Sequence, residues 1–137
     1  MGILSGRRPS NLGAKNGRLA ACPSSPNCVS SQADASADAG HHVAPLPFKG
    51  EPQAAWETLR RLVAESERTT IVAETDGYLH AESASRLMGF VDDLECLLDE
   101  RARVIHVRSA SRLGYRDLNV NRERVEHLRT ELRNAGA

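Results

Sequence analysis

Gly89-Phe-Val-Asp-Asp-Leu-Glu-Cys-Leu-Leu-Asp-Glu-Arg-Ala-Arg-Val-Ile-His-Val-Arg-Ser-Ala-Ser111 reads as two strands joined by a polar turn at Asp99-Glu-Arg-Ala102. Apolar and polar residues alternate along both arms, the mark of strands with one face against a core. Pairing Leu98 with Arg103 sets Cys96 opposite Ile105 and Leu94 opposite Val107, with Phe90 further along the same apolar row. The other face then carries Asp93 across from Arg108 and Glu95 across from His106. A one-residue slip would send these charges into the core, so the pattern is expected to fix the register.

Upstream, Asp76-Gly77 separates two more β-like runs, Thr69 to Thr75 and Tyr78 to Ser83, and is the two-residue signature of a type I′ hairpin turn. Thr75 then faces Tyr78, Ala73 opposes His80, Ile71 opposes Glu82, and Val72 opposes Ala81. Before this hairpin, Pro52 suits a first helical turn, and Trp56, Leu59, Leu62 and Val63 form one apolar stripe running to about Ser66. Val43 to Phe48 is extended, and Pro45 and Pro47 place it at a sheet edge.

Downstream, a polar loop leads to Asn121, expected to cap a helix whose Val125, Leu128 and Leu132 share a face. The expected fold is therefore α+β: a small antiparallel sheet of about five strands, in the order β-α-β-β-β-β-α, with both helices packed on one face. Residues 1–21 read as a flexible arm and 22–137 as a single domain. Within the Gly- and Ser-rich first 44 residues, Cys22-Pro-Ser-Ser-Pro-Asn-Cys28-Val-Ser-Ser31 is dense in turn formers, and is expected to be ordered against the domain.

Composition narrows the function. The chain has 137 residues, two Phe, two Tyr and one Trp, and a net charge of zero. Scarce aromatics and no basic excess argue against a nucleic-acid partner, and no run is long enough to span a membrane. Leu19-Ala-Ala-Cys22 resembles a lipoprotein cleavage box, but no apolar stretch precedes it. A soluble, cytoplasmic protein is expected.

Four blocks carry a resemblance. These are Cys-Pro-Ser-Ser-Pro-Asn-Cys-Val-Ser-Ser (22–31), Tyr-Leu-His-Ala-Glu (78–82), Gly-Phe-Val-Asp-Asp-Leu-Glu (89–95) and Ile-His-Val-Arg-Ser-Ala-Ser-Arg-Leu-Gly-Tyr-Arg-Asp-Leu (105–118), completed by Asn121, Arg122, Arg124, Val125 and Glu126. In this order they resemble the domain-of-unknown-function family DUF1499. The resemblance implies no activity. Cys96 stands where the family usually has a large aromatic, and reads as core filler. Asn119 stands where the family usually has glycine, and asparagine tolerates the left-handed backbone.

Arg108-Ser-Ala-Ser-Arg112, with Gly114, Arg116 and Arg122, brings together guanidinium groups, hydroxyls and the amides of a helix start, the elements of an anion site. The candidate ligand-binding residues are Arg108, Ser109, Ser111, Arg112, Tyr115, Asp117, Asn121 and Arg122. Asp92, Asp93, His80, His106, Cys22, Asn27 and Cys28 are supporting polar groups. Asp92, opposite Ser109, is expected to point toward the helices and to need a donor such as Arg122, while Asp93 is expected to pair with Arg108. Histidines such as His80 and His106 most often decorate a polar sheet face.

Cys22 and Cys28, with His41 and His42, are poorly spaced for zinc, and neither a metal nor a cofactor is expected. A Cys22–Cys28 disulfide is geometrically open, but in a reducing cytoplasm buried or capped thiols are the expectation. The favoured reading is a non-enzymatic binding or structural module with an Arg/Ser-rich groove for a small anion or a protein partner. The alternative is a hydrolase-like enzyme using His, Asp or Cys28.

Overall fold

The computed structural model describes residues 6–85, 90–113 and 119–137. Its elements are β1 (Cys28–Ser30), β2 (Leu46–Pro47), α1 (Pro52–Glu65), β3 (Thr69–Thr75), β4 (Tyr78–Ala84), β5 (Val91–Asp99), β6 (Val104–Ser111) and α2 (Val120–Asn134). The strands form one antiparallel sheet in the order β1-β6-β5-β4-β3, and β2 pairs with β6 as well. The α+β architecture is the expected one, and β1, read from the sequence as an ordered loop, adds a sixth strand.

Alternation separates the two faces. Leu79 and Ala81, Leu94 and Cys96, and Ile105 and Val107 point one way, and join Val29 and Leu46 in a core completed by Trp56, Leu59 and Val63 of α1 and Val125, Leu128 and Leu132 of α2. Both helices thus cover this face, and the helical periodicity identified their inward residues. Cys96 is a buried free thiol within the core, and burial pushes its pKa far up.

The expected register of β5 and β6 is wrong by two residues. Leu98 pairs with Ile105, Cys96 with Val107, Leu97 with His106 and Glu95 with Arg108. Asp99 causes the difference. Its carboxylate accepts the Ala102 amide at 3.0 Å, Arg103 takes a positive φ of 59°, and Asp99 itself stays in the ladder opposite Val104. A shift of two keeps every side chain on its expected face, so alternation could not detect it. Phe90 falls outside β5 and is 39% exposed, not part of the core row.

In the first hairpin Thr75 faces Tyr78 and Ala73 faces His80, as expected. A bulge at Val72 then brings Ile71 opposite Ala81 and Thr70 opposite Glu82. Gly77 has φ +75° while Asp76 is not in the left-handed region, so the turn is not type I′. Asn119, with φ 67°, is the residue that precedes α2, in the conformation a glycine would adopt freely. Asn121 is therefore not the cap but lies fully buried inside the helix.

Cys22 and Cys28 form a disulfide, with 5.7 Å between their α-carbons, which overturns the expectation of capped thiols. Cys28 lies on β1 opposite Ala110, so the bond ties the preceding loop to the sheet beside β6. Closing so short a loop removes unfolded-state freedom worth roughly 2 kcal/mol. Urea unfolding of a Cys22→Ser, Cys28→Ala double variant is expected to show that loss, and adding a reductant is expected to destabilise the parent protein but not the variant.

Candidate anion-binding site

The sheet face away from the helices is polar but not exposed. His80, Asp93, Glu95 and Arg108 are all at least 96% buried. Their cover is the strand-poor segment from Gly6 to Ala21, which lies across them as a strap. Arg8 pairs with Glu82 at 2.6 Å, the Gly13 amide donates to Glu95 Oε2 at 2.8 Å, and the Ala21 carbonyl accepts from Arg108 at 3.3 Å. The strap carries its own tight turn, in which Asn16 and Gly17 take positive φ between the bridged Lys15 and Arg18. The expected polar decoration of an open sheet is instead a second interior.

Arg112, just beyond β6, organises this interior. Its Nε and Nη2 donate to the two carboxylate oxygens of Asp93, each at 2.8 Å, and Nη2 reaches Glu82 Oε2 at 2.5 Å. On its other side, Asp93 accepts His80 Nε2–H at 2.7 Å. Burial works to raise the pKa of Asp93, but the bonds from Arg112 and His80 outweigh it and hold the carboxyl below its ordinary value. Glu82 is depressed in the same way, against burial, by Arg112 and Arg8. The bonds to Asp93 and Glu82 in turn push the Arg112 pKa up.

Arg108 is less well served. Its Nη1 stands 3.6 Å from Glu95 Oε1, and its bond to Ala21 is long. It does not pair with Asp93 as expected, because the two-residue register shift sets Asp93 opposite Ala110. Glu95 spends Oε2 on the Tyr78 hydroxyl at 2.5 Å and on Gly13, and burial together with Glu95 pushes the Tyr78 pKa far up. Among the described residues, three buried side-chain atoms have no hydrogen-bond partner: Glu95 Oε1, Arg108 Nε and Arg112 Nη1.

Both arginines line a pocket of about 310 Å³, closed by Arg7, Pro9 and Asn11 of the strap and by Cys22, Pro23 and Asn27 of the disulfide loop. The loop is braced from behind by His41, whose Nδ1 meets Asp38 at 2.7 Å and whose Nε2 meets the Ser25 carbonyl at 2.8 Å. Two acceptors require both ring nitrogens to be protonated. The Ser25 carbonyl and then Asp38 accordingly raise the His41 pKa.

The candidate residues divide between the two faces, since neighbours on a strand point oppositely. Arg108 and Arg112 face the strap. Ser109 faces the helices, where its hydroxyl bonds Asn121 Oδ1 at 2.6 Å, and Asn121 Nδ2 donates to Ser111 Oγ at 2.9 Å and the Asn27 carbonyl at 3.2 Å. Asp92 also faces the helices, as expected, but its donor is Arg124 at 2.8 Å. Arg122 instead holds the carbonyls of His42 and Gly40. His106 lies on the strap-side face, bonded to Ser31 and Asp99. Tyr115 and Asp117, with Gly114 and Arg116, lie outside the described residues.

Glu82, Glu95, Tyr78, Arg8 and Arg124 were not among the candidates. Strand parity places Glu82 and Glu95 with His80 and Asp93, and was the available signal for them. No local signal brings in Arg8, since only the strap's path sets it beside Glu82.

His80, Glu82 and Asp93 offer three ligand atoms within 4.8 Å of one another. The Arg112 guanidinium already sits on both carboxylates, so a cation would have to displace it. Among the described residues, no helix is long and apolar enough to cross a membrane. Compared with known proteins, residues 18–132 match the model of a family described as protein of unknown function (DUF1499). No curated protein and no solved structure matches the chain.

Asp93→Asn leaves a buried guanidinium with Glu82 as its remaining carboxylate partner, and is expected to cost about 3 kcal/mol in urea unfolding. Asp93 and Glu82 titrate lower in the fold than their ordinary 3.8 and 4.5. Their stabilisation is thus complete above those values and is lost as pH falls through the depressed ones. His41 works oppositely: its contribution is full below 6.5 and is lost as pH rises through its elevated value. Melting temperature recorded against pH is expected to fall at both ends, with His41→Asn flattening the alkaline limb alone.

Proposed function

The chain belongs to the DUF1499 family, and we propose that it is a non-enzymatic binding module which holds a small anion between Arg108 and Arg112 in the pocket under the strap. One observation carries this reading: two arginines, with side chains 5% and 1% exposed, line the same pocket, and each keeps an unpartnered N–H. A buried donor without an acceptor costs about 1–3 kcal/mol, more on a charged group. An anion would recover that cost at both residues at once.

Both nitrogens are shielded from solvent as the strap lies, so binding requires the strap to shift. Ser109, Asn121 and Arg122 support the pocket from behind and do not meet the ligand. A hydrolase-like role is the weaker alternative. The Cys28 sulfur is committed to the disulfide, and His80 is locked to Asp93 in an ion-paired interior. The disulfide also favours an oxidising compartment over the cytoplasm expected from the sequence.

Titration with acetate, phosphate and sulfate at constant ionic strength, followed by the arginine Nε–H resonances, is expected to shift Arg108 saturably. Arg108→Met is expected to weaken binding at least tenfold. The reading fails if none of the three anions saturates the protein in the millimolar range, or if a folded Arg108→Met protein binds unchanged.

A further inference from the structure

We infer that residues 6–13 are a hinged lid over the anion pocket, pivoting at Gly13 and latched by Arg8 on Glu82. This inference rests on the pocket proposed above and concerns how an anion enters it.

The strap divides into a fixed root and a lightly held arm. In the root, Leu19 is buried, its amide donates to Gln32 Oε1 at 2.8 Å, and Gln32 Nε2 donates to the Gly17 carbonyl at 3.0 Å. Lys15 and Arg18 exchange backbone bonds of 2.9 and 3.0 Å around the Asn16-Gly17 turn, and the Cys22–Cys28 disulfide closes the root covalently. In the arm, none of residues 6–13 is buried. Among the described residues, hydrogen bonds join the arm to the domain at two points, Arg8 to Glu82 and the Gly13 amide to Glu95. A segment with no buried side chain and few bonds opens without global unfolding.

The arm is also the movable wall of the pocket. Arg7, Pro9 and Asn11 line one side, and Cys22, Pro23 and Asn27 line the other. Gly6 rests so close to Arg112 that a Cβ there would stand 3.0 Å from the Arg112 Cβ. Lifting the arm therefore uncovers Arg108 and Arg112 and leaves the opposite wall in place. Gly13 suits the pivot, since its φ of +106° is open to glycine and an added Cβ would meet nothing within 4 Å.

The latch is reversible because the interior keeps partners without it. Glu82 retains Arg112, and Glu95 retains the Tyr78 hydroxyl. Arg8, with its side chain 54% exposed, exchanges a carboxylate for water. An exposed ion pair of this kind holds weakly and is screened by salt. The family match starts at residue 18, so Arg108 and Arg112 lie within it and the lid outside it.

Amide hydrogen exchange of the full chain, resolved by residue with NMR, tests the lid. The Gly13 amide is expected to exchange at least tenfold faster than the amides of β5 and β6, and faster still as sodium chloride is raised. Arg8→Ala is expected to speed it at least threefold. Gly13→Ala, strained at its φ but free of clashes, is expected to do the same at residue 13, with β5 and β6 unchanged in both variants. A Gly13 amide that exchanges only together with β5 and β6 overturns the lid. Unchanged exchange in Arg8→Ala overturns the latch, and in Gly13→Ala the pivot. With acetate, phosphate or sulfate present, relaxation dispersion at Arg108 Nε–H is expected to show anion exchange quickened by Arg8→Ala; equal rates overturn the arm as a gate. If no anion binds, the pocket reading fails, and Gly13 exchange still decides whether the arm opens.

Discussion

The arrangement depends on the bidentate contact between Arg112 and Asp93. Both side chains are almost wholly removed from water, where an isolated charge would be prohibitive and even a paired one regains little of its lost hydration. The geometry answers this cost with density of bonding. Asp93 receives two bonds from Arg112 and one from His80, and Arg112 continues to Glu82, which Arg8 of the strap also holds. Such a cluster adds less to net stability than an apolar layer of equal volume. What it does is bind strap, hairpin and sheet into one alignment, because no buried member can leave without stranding another.

That alignment explains why the sheet has two interiors of different chemistry. On the helix side, apolar packing is punctuated by a compact polar network in which Asn121 links Ser109, Ser111 and the Asn27 carbonyl, with Arg124 and Asp92 at its edge. On the strap side the contacts are ionic. β6 contributes to both, Ser109 to one and Arg108 to the other, and β1 runs along its free side. The disulfide then fixes the loop bearing Asn27, so the pocket wall is held covalently at one end and by hydrogen bonds at the other. The two arginines reach the pocket with donors to spare because the groups that bury them leave Arg108 Nε and Arg112 Nη1 without a hydrogen bond.

Much of this was legible in the chain. Alternation along residues 90–111 identified the faces of β5 and β6, the spacing of Trp56, Leu59 and Val63 and of Val125, Leu128 and Leu132 identified the inward sides of both helices, and Asn119 was recognised as compatible with the left-handed turn it makes. The errors share a cause. A two-residue register shift, a bulge at Val72 and the entry of β1 into the sheet all leave the local pattern almost unchanged, while altering which residues meet across strands. Asp93 was therefore assigned Arg108 when it meets Arg112.

The sequence by itself determined the fold class, the two faces of the central hairpin and the chemistry concentrated around Arg108 and Arg112, because these follow from periodicities of two and 3.6 residues and from side-chain type. Only the tertiary structure decided that the charged face is buried, that Cys22 and Cys28 are joined, and which nitrogen atoms remain unpaired. Those depend on where the strap lies and on contacts between residues as far apart as Arg8 and Glu82, and separation of that kind leaves no periodic trace in a chain.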